Sequence, residues 1–173
     1  MTGLADTAQM QHLMLVPVLL PLLVAALMLL LGEERHRLKM ALNVGSCAAL
    51  LCVSCLLLLR AANEGAPQAV GVYLPGNWQA PFGIVLALDR LSALMLVLTS
   101  LVGLAAALFA CARWHRVGVH FHVLFQLQLM GLAGAFLTAD LFNLFVFFEV
   151  TLAASYGLLL HGSGRARVLS GMH

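Results

Sequence analysis

The sequence predicts an all-α, polytopic transmembrane bundle of five helices. Three observations carry this. Hydrophobic residues make up 62% of the 173-residue chain and charged residues only 9%, whereas a soluble domain holds about 25% charged and 45–50% apolar residues. A soluble fold of this size must keep a polar exterior and cannot hide that much apolar surface, so lipid is the solvent for most side chains. Five apolar runs approach the roughly 20 residues needed to cross a hydrocarbon core of about 30 Å. The basic residues, finally, gather on alternate connections between these runs, as an inserted topology requires.

The runs are Leu13–Leu31, Met40–Leu59, Leu91–Ala110, Val119–Leu137 and Leu141–Leu160. Pro17 and Pro21 fall in the first and predict a kink or early bend, which membrane helices tolerate. The connection after the first run holds Arg35, Arg37 and Lys39, that after the third Arg113 and Arg116, and that after the fifth Arg165 and Arg167. Only Arg60 and Arg90 lie on the other side, so seven of the nine basic residues share one side. The positive-inside rule makes that side cytoplasmic: loops 32–39, 112–118 and 162–167 face in and the N-terminus faces out. No Lys or Arg precedes the first run, which is the reverse of a signal peptide, so that run is expected to remain as a helix.

The long outer loop, 60–88, is rich in glycine and proline and reads as turns. Tyr73 and Trp78 suit the membrane interface. Asp89 and Asp140 are expected to cap the third and fifth helices. Thr138-Ala139-Asp140 is short enough to join the fourth and fifth as an antiparallel hairpin. Gly131, Gly134 and Ala135 are spaced for close helix approach. The chain divides into residues 1–111, the first three helices with the outer loop, and 112–173, the last two. Residues Val168 to His173 read as the start of a further helix with no polar tail. The expectation is a piece of a longer subunit, with an inactive truncated fragment as an alternative.

Several function classes are excluded. A net charge of +2, with no basic stretch interleaved with aromatics, does not suit nucleic acid. No dinucleotide fingerprint, P-loop, nucleophile elbow or zinc-protease motif is present, so no catalytic site and no cofactor is expected. Cys52-x-x-Cys55 has redox or metal spacing but no second ligand pair and no nearby His or carboxylate, so the four cysteines read as inert buried thiols. His120 and His122 have no acid or thiol near them, so no metal site is expected. Both read as interfacial and solvated.

The residue that carries chemistry is Glu149. It lies eight residues beyond Leu141, about 12 Å along the helix. A charge at such depth costs about 2.5–3.5 kcal/mol on insertion scales, so membrane proteins aim such groups at a bundle interior or a wet cavity, commonly on an ion path. Tyr156, seven residues on, shares the Glu149 face, as does Phe142. His122 and Gln126 share a face of the fourth helix and could hold water between the cytoplasm and Glu149; Gln128 points elsewhere. His161 ends the fifth helix, where it could offset the helix dipole or pass protons to the cytoplasm.

Three stretches resemble a known family: Phe121-His-Val-Leu-Phe-Gln-Leu-Gln-Leu-Met-Gly131, Ala135-Phe-Leu-Thr-Ala-Asp140-Leu-Phe-Asn-Leu-Phe-Val-Phe-Phe-Glu149 and Ala154-Ser-Tyr-Gly-Leu-Leu-Leu-His-Gly162. They look like the D subunit of the multisubunit Mrp-type (also Pha or Mnh) Na⁺ or K⁺/H⁺ antiporters. Gly76-Asn-Trp-Gln-Ala-Pro-Phe-Gly-Ile84 and Asp89-Arg-Leu-Ser-Ala-Leu-Met95 fit the same family. The resemblance implies the N-terminal part of a bundle of about fourteen helices with inverted repeats, in a bacterial inner membrane. It also implies a proton-path role for Glu149 and a lysine partner on a later helix. The implied partners are other membrane subunits of the complex, protons, Na⁺ or K⁺, and the lipid bilayer. Related proton-pumping subunits of complex I-like NADH:quinone oxidoreductases and membrane-bound hydrogenases are the alternative.

Overall fold

A computed structural model of the chain describes residues 12–32, 34–63, 71–78, 83–113 and 120–161. Among them are five helices: α1 (Val16–Leu30), α2 (His36–Asn63), α3 (Arg90–Arg113), α4 (Phe121–Leu137) and α5 (Leu141–Leu159). Strands β1 (Gly71–Tyr73) and β2 (Leu86–Leu88) pair between α2 and α3. The five helices coincide with the five apolar runs. Among the described residues, α2, α3 and α5 are long and apolar enough to cross a membrane. α1 and α4, with 15 and 17 residues, rise about 22 and 26 Å and are shorter than the expected span.

These two shorter helices pack on each other. α1 buries Pro17, Pro21, Ala25 and Met28, a single stripe at helical spacing, and Ala25 and Met28 meet Val123 of α4. Pro17 sits in the first turn, where its missing N–H would have had no helical acceptor. Pro21 lies inside the helix and removes one bond.

α2 begins earlier than its apolar run. His36 and Arg37 are exposed in its first turn, but Lys39 is turned inward and is only 3% exposed. The expectation that residues 32–39 form a loop is therefore corrected: 36–39 are helical, and the only lysine of the chain lies inside the bundle. Hydropathy misplaces this boundary because three polar residues of the first turn, His36, Arg37 and Lys39, lower the local average. α2 also runs on to Asn63, into the expected outer loop.

The described part of that loop is ordered as a hairpin, with Gly71 opposite Leu88 and Tyr73 opposite Leu86. Gly76, in the short turn Pro75–Asn77, has φ +73°, a conformation that costs glycine nothing. β2 reaches the α4–α5 turn: the Ala139 N–H donates to Val85 O at 2.9 Å, and Leu86 bridges Thr138. Leu86 and Leu88 pack with Met14, Leu57, Leu96 and Leu137 into an apolar plug. Arg90 Nε donates to Ala61 O at 3.2 Å and satisfies a carbonyl near the end of α2. Hairpin, plug and α4–α5 turn thus share one end of the bundle, the hairpin end. The connections rich in Arg share the other, the basic end; residues 114–119 and 162–173 of those connections lie outside the described residues.

Both expected caps form. The Ser92 N–H donates to Asp89 Oδ1 at 2.6 Å, and the Phe142 N–H donates to Asp140 Oδ1 at 3.2 Å. Between α4 and α5 the approach is close. A Cβ on Gly131 would strike Thr151 Oγ1, and one on Gly134 would strike the Phe147 ring.

Two outcomes follow for stability in detergent. Gly134→Val places a branched side chain into the Phe147 ring and is expected to cost about 1–3 kcal/mol, the range for overpacking, read as a lower midpoint of thermal unfolding. The Ser92 amide holds the Asp89 carboxyl below the ordinary carboxylate range. Its contribution is therefore present above the unfolded value of about 3.9 and fades as pH falls through the lower folded value. Asp89→Ala is expected to cost about 1 kcal/mol at neutral pH, the usual worth of an N-cap. That difference from the parent should shrink on acidification; a cost independent of pH would refute the cap's charged contribution.

Candidate functional site

Glu149 lies on the outer face of α5. It is exposed, with Phe142 (73%), Phe145 (61%), Leu152 (48%) and Tyr156 (56%) on the same side. The opposite side of α5, Asn143, Phe147, Thr151 and Ala154, faces α4. Residues 147 and 149 are about 200° apart around the helix, so packing Phe147 on Gly134 turns Glu149 outward. The expectation that Glu149 faces an interior holds for no surface within these five helices. Glu149 and Tyr156 do share one stripe, as their spacing predicts.

The interior instead holds a buried polar cluster between α2 and α4. Gln126 is fully buried. Its Nε2 donates to Asn43 Oδ1 at 2.8 Å and lies 3.3 Å from Asn43 O. Its Oε1 accepts from Ser46 Oγ at 3.1 Å, and Cys47 Sγ lies 3.7 Å from Nε2. Asn43, also fully buried, keeps an Nδ2 donor with no acceptor among the described residues. Toward the hairpin end the cluster is closed by Cys47, Leu50, Ala107 and Leu129. Toward the basic end it continues one turn to Lys39 on α2 and His122 on α4, each 3% exposed.

His122 is therefore a buried residue, against the solvated position expected for it, while His120 is exposed. His122 and His161 each pack against Phe121, at centroid distances of 5.4 and 5.2 Å. His161 is 9% exposed and follows the end of α5. Gln128 lines a separate cavity of about 300 Å³ between α3 and α4, with Thr99, Gly103 and Phe125. All four cysteines are free; Cys47 is buried but Cys52 is exposed, so the expectation of uniformly buried thiols is corrected. Among the described residues no three metal-ligating side chains cluster.

The structure thus brings His122, Gln126 and His161 toward one end and interior, and Glu149 with Tyr156 onto a different face. The contacts of Gly131 with Thr151 and of Leu124 with Gly157 set the α4–α5 register. They put Tyr156 level with Gln126, and Glu149 about 10 Å nearer the hairpin end. Lys39, Asn43 and Ser46 escape a search for motifs. Their signal is a polar stripe at i, i+4 and i+7 within an apolar run.

No protein-family model matches the chain. The fold matches a chain of the solved Mrp complex from Dietzia sp. DQ12-45-1b with a TM-score of 0.82 and 32% identity, over 95% of this chain and 30% of that one. The chain is thus a multi-pass membrane protein with the fold of part of a component of the Mrp complex. Among curated proteins it is 57% identical, over 96% of its length, to the D subunit of a probable K⁺/H⁺ antiporter of Rhizobium meliloti (strain 1021). It is 39% identical, over 88% of its length, to the D subunit of an Na⁺/H⁺ antiporter of Alkalihalophilus pseudofirmus. The chain is thus similar to antiporter D subunits over nearly its whole length, and it spans 31% and 30% of the length of these two relatives.

The buried amide pair gives a direct test of packing. Gln126→Leu strands the Asn43 carbonyl and the Ser46 hydroxyl, which is expected to cost about 1–3 kcal/mol in detergent stability. A double-mutant cycle with Asn43→Leu should return a coupling nearer 0.6 kcal/mol, the average for interhelical bonds in membranes. No coupling would show that the two amides do not meet.

Proposed function

We propose that this chain is part of the membrane subunit through which a multisubunit antiporter exchanges monovalent cations for protons, and that Glu149 is the acid on its proton path. The observation that carries this is the position of Glu149. A carboxyl about 12 Å along a membrane helix, on a face otherwise made of Phe and Leu, is too costly to leave against lipid. The five helices offer it no cover, so in the assembled protein this face meets further protein or a wet cavity. The family resemblance supplies a membrane lysine as the expected partner. The names of the curated relatives, which describe a K⁺/H⁺ and an Na⁺/H⁺ antiporter, support exchange of a monovalent cation for H⁺ by a secondary transporter, not an enzyme. Other membrane subunits of the complex are the partners.

The charge asymmetry supports the orientation. The basic end faces the cytoplasm of a bacterial inner membrane, and the hairpin end with Asp89 and Asp140 faces out. Tyr156, on the same stripe as Glu149, is placed to extend its hydrogen bonding toward the cytoplasm. His122, Gln126 and His161 belong to the cytoplasmic half.

The experiment is Glu149→Gln in the complete antiporter, assayed as Na⁺- or K⁺-driven pH change in inverted vesicles. The expected result is a loss of roughly tenfold or more with normal assembly, because the amide keeps the shape but cannot carry a proton. Exchange at the parent rate would remove Glu149 from the path.

A further inference from the structure

We infer that the groove between α3 and α4 seats a transmembrane helix from another subunit of the antiporter, one that brings a hydroxyl or amide side chain to Gln128. The inference rests on the reading of the chain as part of a multisubunit antiporter and names a surface by which that assembly is held.

The groove is the cavity of about 300 Å³ between these two helices. At its floor they touch: a Cβ on Gly103 would lie 2.8 Å from Leu129 Cδ2. Above the floor the side chains of α3 are short. Thr99 and Ala106 line the groove, about one turn to either side of Gly103. Leu98 and Val102 form its lip, 51% and 59% exposed. The rest of the outer face of α3 is of another kind. Leu91, Leu94, Leu101 and Leu108 are all exposed there, a surface of long aliphatic chains that suits lipid. Short side chains are what membrane helices present where a neighbouring helix comes close.

Gln128 identifies the occupant. It lies in the α4 wall of the groove, about 10 Å along that helix. Its Oε1 has no hydrogen-bond donor among the described residues, whereas Gln126 on the same helix is paired with Asn43 and Ser46. Hydrocarbon supplies no water to pair an amide, so the partner has to come from protein. An acyl chain in the groove has neither donor nor acceptor and leaves the amide unpaired. A helix bearing Ser, Thr, Asn or Gln brings both. The broad last torsion of a glutamine lets its amide turn either end toward such a group. The groove also lies apart from the Glu149 face. Gln128 points about 90° away from Gly131 and Gly134, which meet α5, and Glu149 is on the far side of α5. A later helix of the same subunit is expected against Glu149, where the resemblance supplies the lysine. The α3 side of α4 is left for a different subunit.

The test puts a photoactivatable aliphatic diazirine side chain at Val102, and as a control at Leu108, in the complete antiporter in inverted vesicles. After irradiation the complex is purified and the cross-linked peptides of its subunits are identified by mass spectrometry. Val102 is expected to join a helix of one other subunit, and Leu108 to join lipid. Gln128→Leu keeps the volume but removes both polar groups. It should lower the Val102 adduct about threefold, the worth of an average interhelical hydrogen bond in membranes. Ala106→Phe fills the groove from an exposed position and should abolish the adduct, with the amount of this subunit in the membrane unchanged. The inference is overturned if Val102 joins lipid alone or nothing, if it joins only its own subunit, or if either substitution leaves the yield at the parent level. Parent vesicles without cation-driven pH change would sink the antiporter reading itself. Normal exchange with lipid adducts alone at Val102 would sink this inference and leave that reading standing.

Discussion

The close contact between α4 and α5 determines how everything else in the chain is arranged. Gly131 and Gly134 have no side chains to hold the helices apart, and Thr151 and Phe147 fill the space. In lipid, helices gain nothing from hiding apolar surface, so such van der Waals contact is what drives association. Once Phe147 is seated on Gly134, the helical repeat decides the rest. Asn143, Thr151 and Ala154 turn toward α4, and Glu149, Tyr156 and Phe142 turn away. The outward position of the acid is thus a consequence of a pair of glycines on another helix. A larger residue at either would rotate α5 and take Glu149 off its present face.

The same economy explains the interior. Polar side chains in a membrane bundle need partners, and Asn43, Ser46 and Gln126 find them in one another. Interhelical bonds of this sort are worth only about 0.6 kcal/mol on average in membranes. A leucine at each position would hold α2 against α4 comparably by packing. The clamp is therefore a weak reason for three polar residues, and weaker still for the buried Lys39 beside them. Stability by itself does not account for a lysine in that position, since a buried cation is costly unless paired.

Much of this architecture is legible in the residues. The apolar runs mark five helices, and Asp89 and Asp140 mark two helix starts correctly because a capping acid needs only local backbone. Gly131 and Gly134 mark a close approach because only small residues permit one. The failures share a physical cause. Lys39 is misplaced because hydropathy averages over a window and cannot see which way a single side chain turns. His122 looks solvated for the same reason, being near a helix start but on its inner side. The hairpin of β1 and β2 is hidden because its strands are three residues each, held by pairing across a long loop and by the α4–α5 turn, neither of which leaves a periodic trace. Glu149 is recognisable as a costly acid, but the direction it faces depends on the α4–α5 register, which is a tertiary property.

The two polar regions are separated in a way that constrains any proton route. The amide cluster faces α2, and the Glu149 stripe faces away from α4 altogether, so the body of the α4–α5 hairpin lies between them. The Gly131–Thr151 and Gly134–Phe147 contacts pack that body closely. At the basic end of α5, His122 and His161 each pack against Phe121. His161 adjoins both sides, since it follows the last turn of the helix that carries Tyr156 and Glu149. On the proposed reading, protons reach Glu149 along the outer face of α5. Along that face Tyr156 is the first polar group on the way to Glu149.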